Sequence, residues 1–312
     1  MQEISIVQLY EDHCDKLELT WELAVGAKRH ISLKESGNYG ADVIGHMNLI
    51  HPNRLQVIGA AEIAWLNRVS EGQFQKQVSE LLAAQPPALI VSDSLPIPEP
   101  LRILCIATQT PLFTSTRPCA AVIDMLRIYL ARRLADTTSI HGVFMDVLSM
   151  GVLITGDSGV GKSELALELI SRGHGLIADD VVELARIAPA TLEGRCPGML
   201  QDYLEVRGLG LLNIRSIFGE TASRRKMKLK LIVYLQKPVI SAEAPRLPLD
   251  TQTQKILEVP IRKVVIPVVA GRNLAVLIET AVRNTILQMR GIDSMQEFIS
   301  RQQKALTLDD EL

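Results

Sequence analysis

At 312 residues the chain is about twice the usual domain length, so two domains are expected, either long enough to bury a core. With 33 Lys and Arg against 35 Asp and Glu, a net charge of −2 and a pI near 6.3, it lacks the basic surface of a nucleic-acid binder. The start MQEISIVQLYED carries acids where a signal peptide needs a basic segment and an apolar run, and no stretch of about 18 uninterrupted apolar residues occurs, so a cytoplasmic protein with no membrane span is expected.

Residues 1–130 read as one α/β unit. ISIVQLY is strand-like, a helical stretch is expected near Cys14–Leu19, and LQVIG and PALIVSD read as apolar strands. Prolines at Pro86–Pro87 and Pro96–Pro100 suit loops, with LRILCIAT as a strand after them. The run AAVIDMLRIYLARRLAD repeats apolar residues at helical spacing, TTS after it marks a turn, and the domain boundary is placed near 130, giving domains 1–130 and 131–312. From His141 the order is strand (GVFMD), turn, strand (GVLIT), glycine-rich loop, helix and strand (GLIAD), the layout of an α/β phosphate-binding core. A helix, LAVLIETAVRNTILQMRG, comes near the end, and the tail QKALTLDDEL reads as frayed.

Gly156, Asp157, Ser158, Gly159, Val160, Gly161, Lys162 and Ser163 match G-x-x-x-x-G-K-[ST] in full, after an apolar strand and before the helix SELALELISRG. The chemistry needs these types. Glycines let successive N–H groups turn inward around a phosphate, and the helix N-terminus adds its positive dipole end. Lys162 can then reach the β/γ oxygens, and the Ser163 hydroxyl can ligate Mg²⁺. Such a loop alone does not separate a kinase from an ATPase or a GTPase. Asp179 and Asp180 close the strand GLIADD 17 and 18 residues after Lys162, which suits proton transfer by one and charge handling beside Mg²⁺ by the other. The same pair would also cap a helix beginning at VVELARI.

The runs HGVFMDV, GVLITGDSGVGKSELALELISRGHGLIADD, LEVRGLGLLNIRSIFG and IPVVAGRNLAVLIE, within residues 141–284, resemble the HPr kinase/phosphorylase family, and IHPNRLQVIGAAEIAWL resembles that family's first domain. The resemblance implies an α/β fold: an N-terminal α/β domain followed by a P-loop kinase domain similar to the nucleotide-binding core of phosphoenolpyruvate carboxykinases. It implies phosphorylation of a serine of the phosphocarrier protein HPr by ATP with Mg²⁺, and removal of that phosphate by inorganic phosphate with release of pyrophosphate, by a homohexamer. Carried onto this chain, Asp180 is the base for the seryl hydroxyl and the acid in reverse, with a carboxyl that burial would raise. His141 lies close to the phosphates, Lys162 stabilises the transferring group, Ser163 and Glu205 hold Mg²⁺, and Arg246 assists catalysis. Leu204, Glu205, Val206, Arg207, Gly208, Leu209, Gly210, Leu211, Leu212 and Asn213 form the signature loop used in both directions. Pro267, Val268, Val269, Ala270, Gly271 and Arg272 form the segment associated with phosphorolysis. Val269-Ala270 stands where many relatives have arginine-proline, a departure that bears on the efficiency of dephosphorylation rather than its existence. Asp179 stays a possible site residue, and Glu164 is open between a second charged group at the site and an acid that complements the helix dipole.

Other features carry less. The basic run Arg224, Arg225, Lys226, Lys228 and Lys230 alternates with apolar residues as a strand with a solvated face does, and Met145, Met150, Met199 and Met227 read as core. His13, His30, His46, His51 and His174 lack partners at useful spacing. Cys14, Cys105, Cys119 and Cys196 show no CxxC pair and no histidine at zinc-ligand spacing, which reads as buried reduced thiols rather than a metal cluster or a disulfide framework. Two other classes remain to be weighed: a nucleotide-dependent switch with little transferase activity, although no N-K-x-D specifies guanine, and a small-molecule kinase, for which no lid is identifiable.

Overall fold

The computed structural model describes residues 3–33, 42–237 and 252–309. The chain divides into two compact units, residues 1–136 with 187–189, and residues 137–186 with 190–312. No helix among the described residues is long and apolar enough to cross a membrane.

The first unit runs β1 (Glu3–Ser5), α1 (Ile6–Leu17), β2 (Leu19–Leu23), β3 (His30–Ser32), β4 (Ile44–His46), β5 (Leu55–Ile58), α2 (Ala60–Leu66), α3 (Glu71–Ala83), β6 (Leu89–Val91), α4 (Glu99–Ala107), β7 (Leu112–Ser115) and α5 (Cys119–Arg133). Its sheet has the order β2-β7-β6-β5-β4. The last four strands are mutually parallel and β2 is antiparallel at the edge. Two apolar clusters fill the unit, one around Leu9, Ile90, Phe113 and Leu126, the other around Ile58, Val78, Leu89 and Leu101. Two expected elements change type. ISIVQLY is a short strand that yields at Ile6 to α1, because the Ser5 hydroxyl accepts from the Gln8 N–H and caps a helix. LRILCIAT is α4, not a strand: proline near its first turn starts it, and only Leu101 and Cys105, one turn apart, are buried.

The second unit runs β8 (Thr137–His141), β9 (Val143–Val147), β10 (Met150–Gly156), α6 (Lys162–Ser171), β11 (Gly175–Ala178), β12 (Val181–Ala188), β13 (Thr191–Arg195), β14 (Tyr203–Val206), β15 (Gly210–Asn213), α7 (Ile214–Phe218), β16 (Lys226–Gln236), β17 (Gln252–Ile256), β18 (Val259–Pro267), α8 (Leu274–Met289) and α9 (Ser294–Asp309). β10, β16 and β18 lie side by side and parallel, so all three point their carboxyl ends to one edge. β10 is apolar almost throughout because both its faces are covered: Val152 and Ile154 enter one cluster and Leu153 the other. Leu165, Ala166, Leu169 and Ile170 bury one face of α6 in the first of these.

Several expectations are corrected here. TTS opens strand β8 rather than a turn, and VVELARI is strand β12, so Asp179 and Asp180 cap no helix. QKALTLD belongs to α9, which runs to Asp309. Met145 and Met150 are core, whereas Met199 is 95% exposed. Lys226, Lys228 and Lys230 do lie on the solvated side of β16. Of the four unpaired cysteines, Cys14 is only half-buried.

Candidate functional site

The carboxyl edge of β10 carries the phosphate loop. Gly156 has φ 144°, and a Cβ there would come within 2.4 Å of the Leu235 carbonyl on β16, so the chain can turn off the sheet only at glycine. Gly159 and Gly161 also have positive φ, with nothing closer than 4.0 Å to their missing Cβ atoms, which leaves the inner side of the loop open. Val160 points the other way, into the core. The Lys162 ammonium donates to the carbonyls of Gly156 and Asp157, both at 3.0 Å, and so stands over the loop.

The paired aspartates separate sharply. Asp179 is buried: its Oδ2 accepts from the Glu205 N–H at 3.0 Å, and its Oδ1 lies 3.5 Å from the Ser163 hydroxyl. Burial pushes the Asp179 carboxyl above the ordinary carboxylate range, against the lowering effect of those hydrogen bonds. Asp180 is exposed, so the desolvation expected of it falls on its neighbour instead. It sits at φ 64°, and its Oδ1 is 3.5 Å from His141 Nδ1. His141 ends β8, whose pairing with β12 sets His141 opposite Val181 and so beside Asp180.

The signature residues form a hairpin, β14 and β15. Leu204 and Val206 anchor its inner side in the core, so Glu205 alternates to the outer side. Gly208 and Gly210, at φ 84° and 83°, make the turn. Leu209 and Leu211 are exposed, Leu212 packs on the core, and Asn213 caps α7 by accepting from the Ser216 N–H.

These parts meet in one cleft of about 690 Å³. Its walls include His141, Gly156, Ser158, Gly159, Gly161, Lys162, Ser163, Glu164, Asp179, Asp180, Glu205, Val206, Arg207, Gly208 and Gly210. Glu164 therefore faces the site while also lying in the first turn of α6. Gly142 and Val143, which sequence reading passed over, line it too. Nothing in their types marks them; they are there because β8 turns into β9 beside Asp180, where the Gly142 N–H donates to the Asp180 carbonyl. Pro267–Arg272 do not line the cleft. They leave β18 two parallel strands away from the phosphate loop, about 10 Å across the same edge. Arg246 lies outside the described residues.

Residues 4–130 match the family described as HPr Serine kinase N terminus, and residues 132–302 match HPr Serine kinase C-terminal domain. Curated relatives named HPr kinase/phosphorylase include one from Aromatoleum aromaticum (strain DSM 19018 / LMG 30748 / EbN1), 55% identical and covering 98% of each chain, and one from Azoarcus sp. (strain BH72), 54% identical over 99% of each. Another, from Bordetella petrii (strain ATCC BAA-461 / DSM 12804 / CCUG 43448), is 52% identical over 97% of this chain and 98% of its own. Among solved structures, the Hpr(Ser) kinase/phosphatase from Coxiella burnetii is 39% identical, covering 52% of this chain and 98% of that one at a TM-score of 0.46.

Proposed function

This chain belongs to the HPr serine kinase family and is a bifunctional serine kinase/phosphorylase acting on HPr with ATP, and we propose how its cleft divides that work. The observation that carries the reading is the exposed Asp180–His141 pair facing a complete phosphate loop across one cleft.

In the forward direction Asp180 takes the proton of the HPr seryl hydroxyl as its oxygen attacks the γ-phosphorus of ATP and ADP departs. The loop N–H groups and Lys162 hold the phosphate oxygens, and His141 keeps the Asp180 carboxylate oriented toward the cleft. In reverse, an oxygen of inorganic phosphate attacks the phosphoseryl phosphorus, the protonated Asp180 returns its proton to the leaving serine oxygen, and pyrophosphate forms. Pro267–Arg272, with Val269 exposed, are assigned to that direction, and Arg246 to support of transfer.

The donor set fits Mg²⁺. Ser163, Asp179 and Glu205 offer only oxygen, and Asp179 is a buried carboxylate, a group that a divalent cation would relieve. Ser163 and Glu205 would hold the ion, with Asp179 behind them, and it would neutralise charge on the phosphate oxygens. A homohexamer in the cytoplasm, free of nucleic acid and membrane, completes the reading.

Transfer of the γ-phosphate from labelled ATP to purified HPr tests this. Label on wild-type HPr, none on HPr with its target serine changed to alanine, and none without Mg²⁺ are expected. ATP bound without transfer would overturn it in favour of a switch, and transfer undiminished in Lys162→Ala would remove the loop from the mechanism.

A further inference from the structure

The first unit has no part in the chemistry above, yet it too gathers reactive side chains at the carboxyl edge of parallel strands, where open α/β sheets place their ligands. His46 ends β4, Glu62 lies on α2 after β5, and Cys119 opens α5 after β7. Their ligand atoms lie within 4.8 Å of one another. Spacing along the chain read against a metal cluster because these residues are 16 and 57 positions apart; folding alone brings them together.

The geometry is that of a chelate rather than a relay. His46 Nδ1 is 3.5 Å from Cys119 Sγ and 3.0 Å from Glu62 Oε1, so a single nitrogen faces both partners. A thiolate–imidazole–carboxylate relay needs the two different ring nitrogens. Around a tetrahedral Zn²⁺, with Zn–S about 2.3 Å and Zn–N and Zn–O about 2.0 Å, the ligand atoms stand roughly 3.5 Å (S to N) and roughly 3.3 Å (N to O) apart, close to what is observed.

The surroundings hold the ligands as metal sites do. Glu62 Oε2 accepts from the Gly59 N–H at 2.9 Å, which leaves Oε1 free to point at His46. Asp93 accepts from the Ala60 N–H with one oxygen and from the Cys119 N–H with the other, tying the starts of α2 and α5 together. It does so from φ 62°. A Cβ on Gly59 would stand 2.9 Å from both Asp93 Oδ2 and Cys119 Cβ, so this approach requires glycine.

We propose that His46, Glu62 and Cys119 form a three-ligand site for a divalent transition metal of the Zn²⁺ class, with a fourth position open to solvent on the side of the exposed His46. The thiol proton passes to solvent as the metal–sulfur bond forms.

The test is titration of the chelator-stripped full chain with Co²⁺ in excess Mg²⁺, which occupies all-oxygen sites without competing for a thiolate. One equivalent should give a thiolate-to-cobalt charge-transfer band with intense tetrahedral visible bands, all bleached by Zn²⁺. Cys119→Ser should lose the charge-transfer band, Cys14→Ser should keep it, and His46→Ala should weaken Co²⁺ binding tenfold or more. No band in the wild type, or an equal band in Cys119→Ser, overturns the proposal. Should Cys119→Ser fail to fold, folded His46→Ala decides, since its substitution falls on an exposed side chain: unchanged Co²⁺ affinity overturns the site.

Discussion

The two units place polar side chains at the same kind of address, the carboxyl edge of parallel strands, but they draw them from the chain differently. In the second unit one continuous loop, two adjacent aspartates and one hairpin make most of the cleft. In the first, each member of the His46–Glu62–Cys119 cluster comes from the end of a different strand or the helix after it. Holding a phosphate takes successive backbone N–H groups, which must be contiguous, whereas converging side chains need only neighbouring strands. Each unit also has a carboxylate clamp, but in different places: Asp93 joins α2 to α5 at the carboxyl edge itself, whereas Glu279 on α8 joins Arg172 and His174 at the far end of α6 from the phosphate loop.

The sharpest way to break the contrast is at Asp180. Asp180→Asn should lower turnover in both directions by about 10²–10⁴ while leaving nucleotide affinity within twofold, read by steady-state kinetics and a fluorescent-nucleotide titration. Retained turnover would take the proton transfer away from this aspartate. Next comes the clamp of the second unit. Arg172, first, and His174 hold the Glu279 carboxyl down to about 2. Its folded value lies below the ordinary 4.5, so its contribution is complete above that range and is lost as pH falls toward about 2. Glu279→Gln should therefore cost about 1–3 kcal/mol at neutral pH by urea unfolding, leaving buried His174 poorly paired, and the cost should shrink in acid.

In the first unit Gly59→Ala should cost roughly 1–3 kcal/mol, because the added methyl meets Cys119 and Asp93. Gly159→Ala meets nothing within 4 Å and should cost only about 1 kcal/mol of backbone strain, though it would crowd the phosphate. Equal costs by thermal unfolding would mean the first edge is looser than its contacts indicate. The smallest effect is expected at Asp179. Its raised folded value means that its ionisation opposes folding, so stability falls as pH rises through that value. Without Mg²⁺ at neutral pH, Asp179→Asn should raise Tm by on the order of 2 °C while lowering activity, and a fall in Tm would show that its accepted hydrogen bonds outweigh its desolvation.

The phosphate loop with its strand and helix was legible because it is local: glycine positions and apolar runs lie within a few residues of one another. The signature segment reads as a loop by resemblance, and its pairing as the hairpin of β14 and β15 was not legible. LRILCIAT was not legible either, since eight apolar-rich residues satisfy either period and only the tertiary partners of Leu101 and Cys105 choose the helix. The placement of Asp179 and Asp180 together at the end of one strand was legible, but their different burial was not. Which one is buried depends on the positive φ at Asp180 and on the Glu205 N–H, 26 residues further along, to which Asp179 bonds. His174 found its partner 105 residues away, and His46 found Cys119 73 away, distances at which no spacing rule speaks.

The left-handed backbone at Asp180 also narrows what can replace it. Away from glycine that conformation is tolerated best by asparagine and aspartate, and it costs other residues roughly 1–2 kcal/mol. With Asp180 as the base proposed above, any substitution there except glycine or asparagine is penalised twice, once in chemistry and once in folding. A lineage drifting away from catalysis at this position has two inexpensive exits, and a glutamate, which keeps the carboxylate, is not one of them.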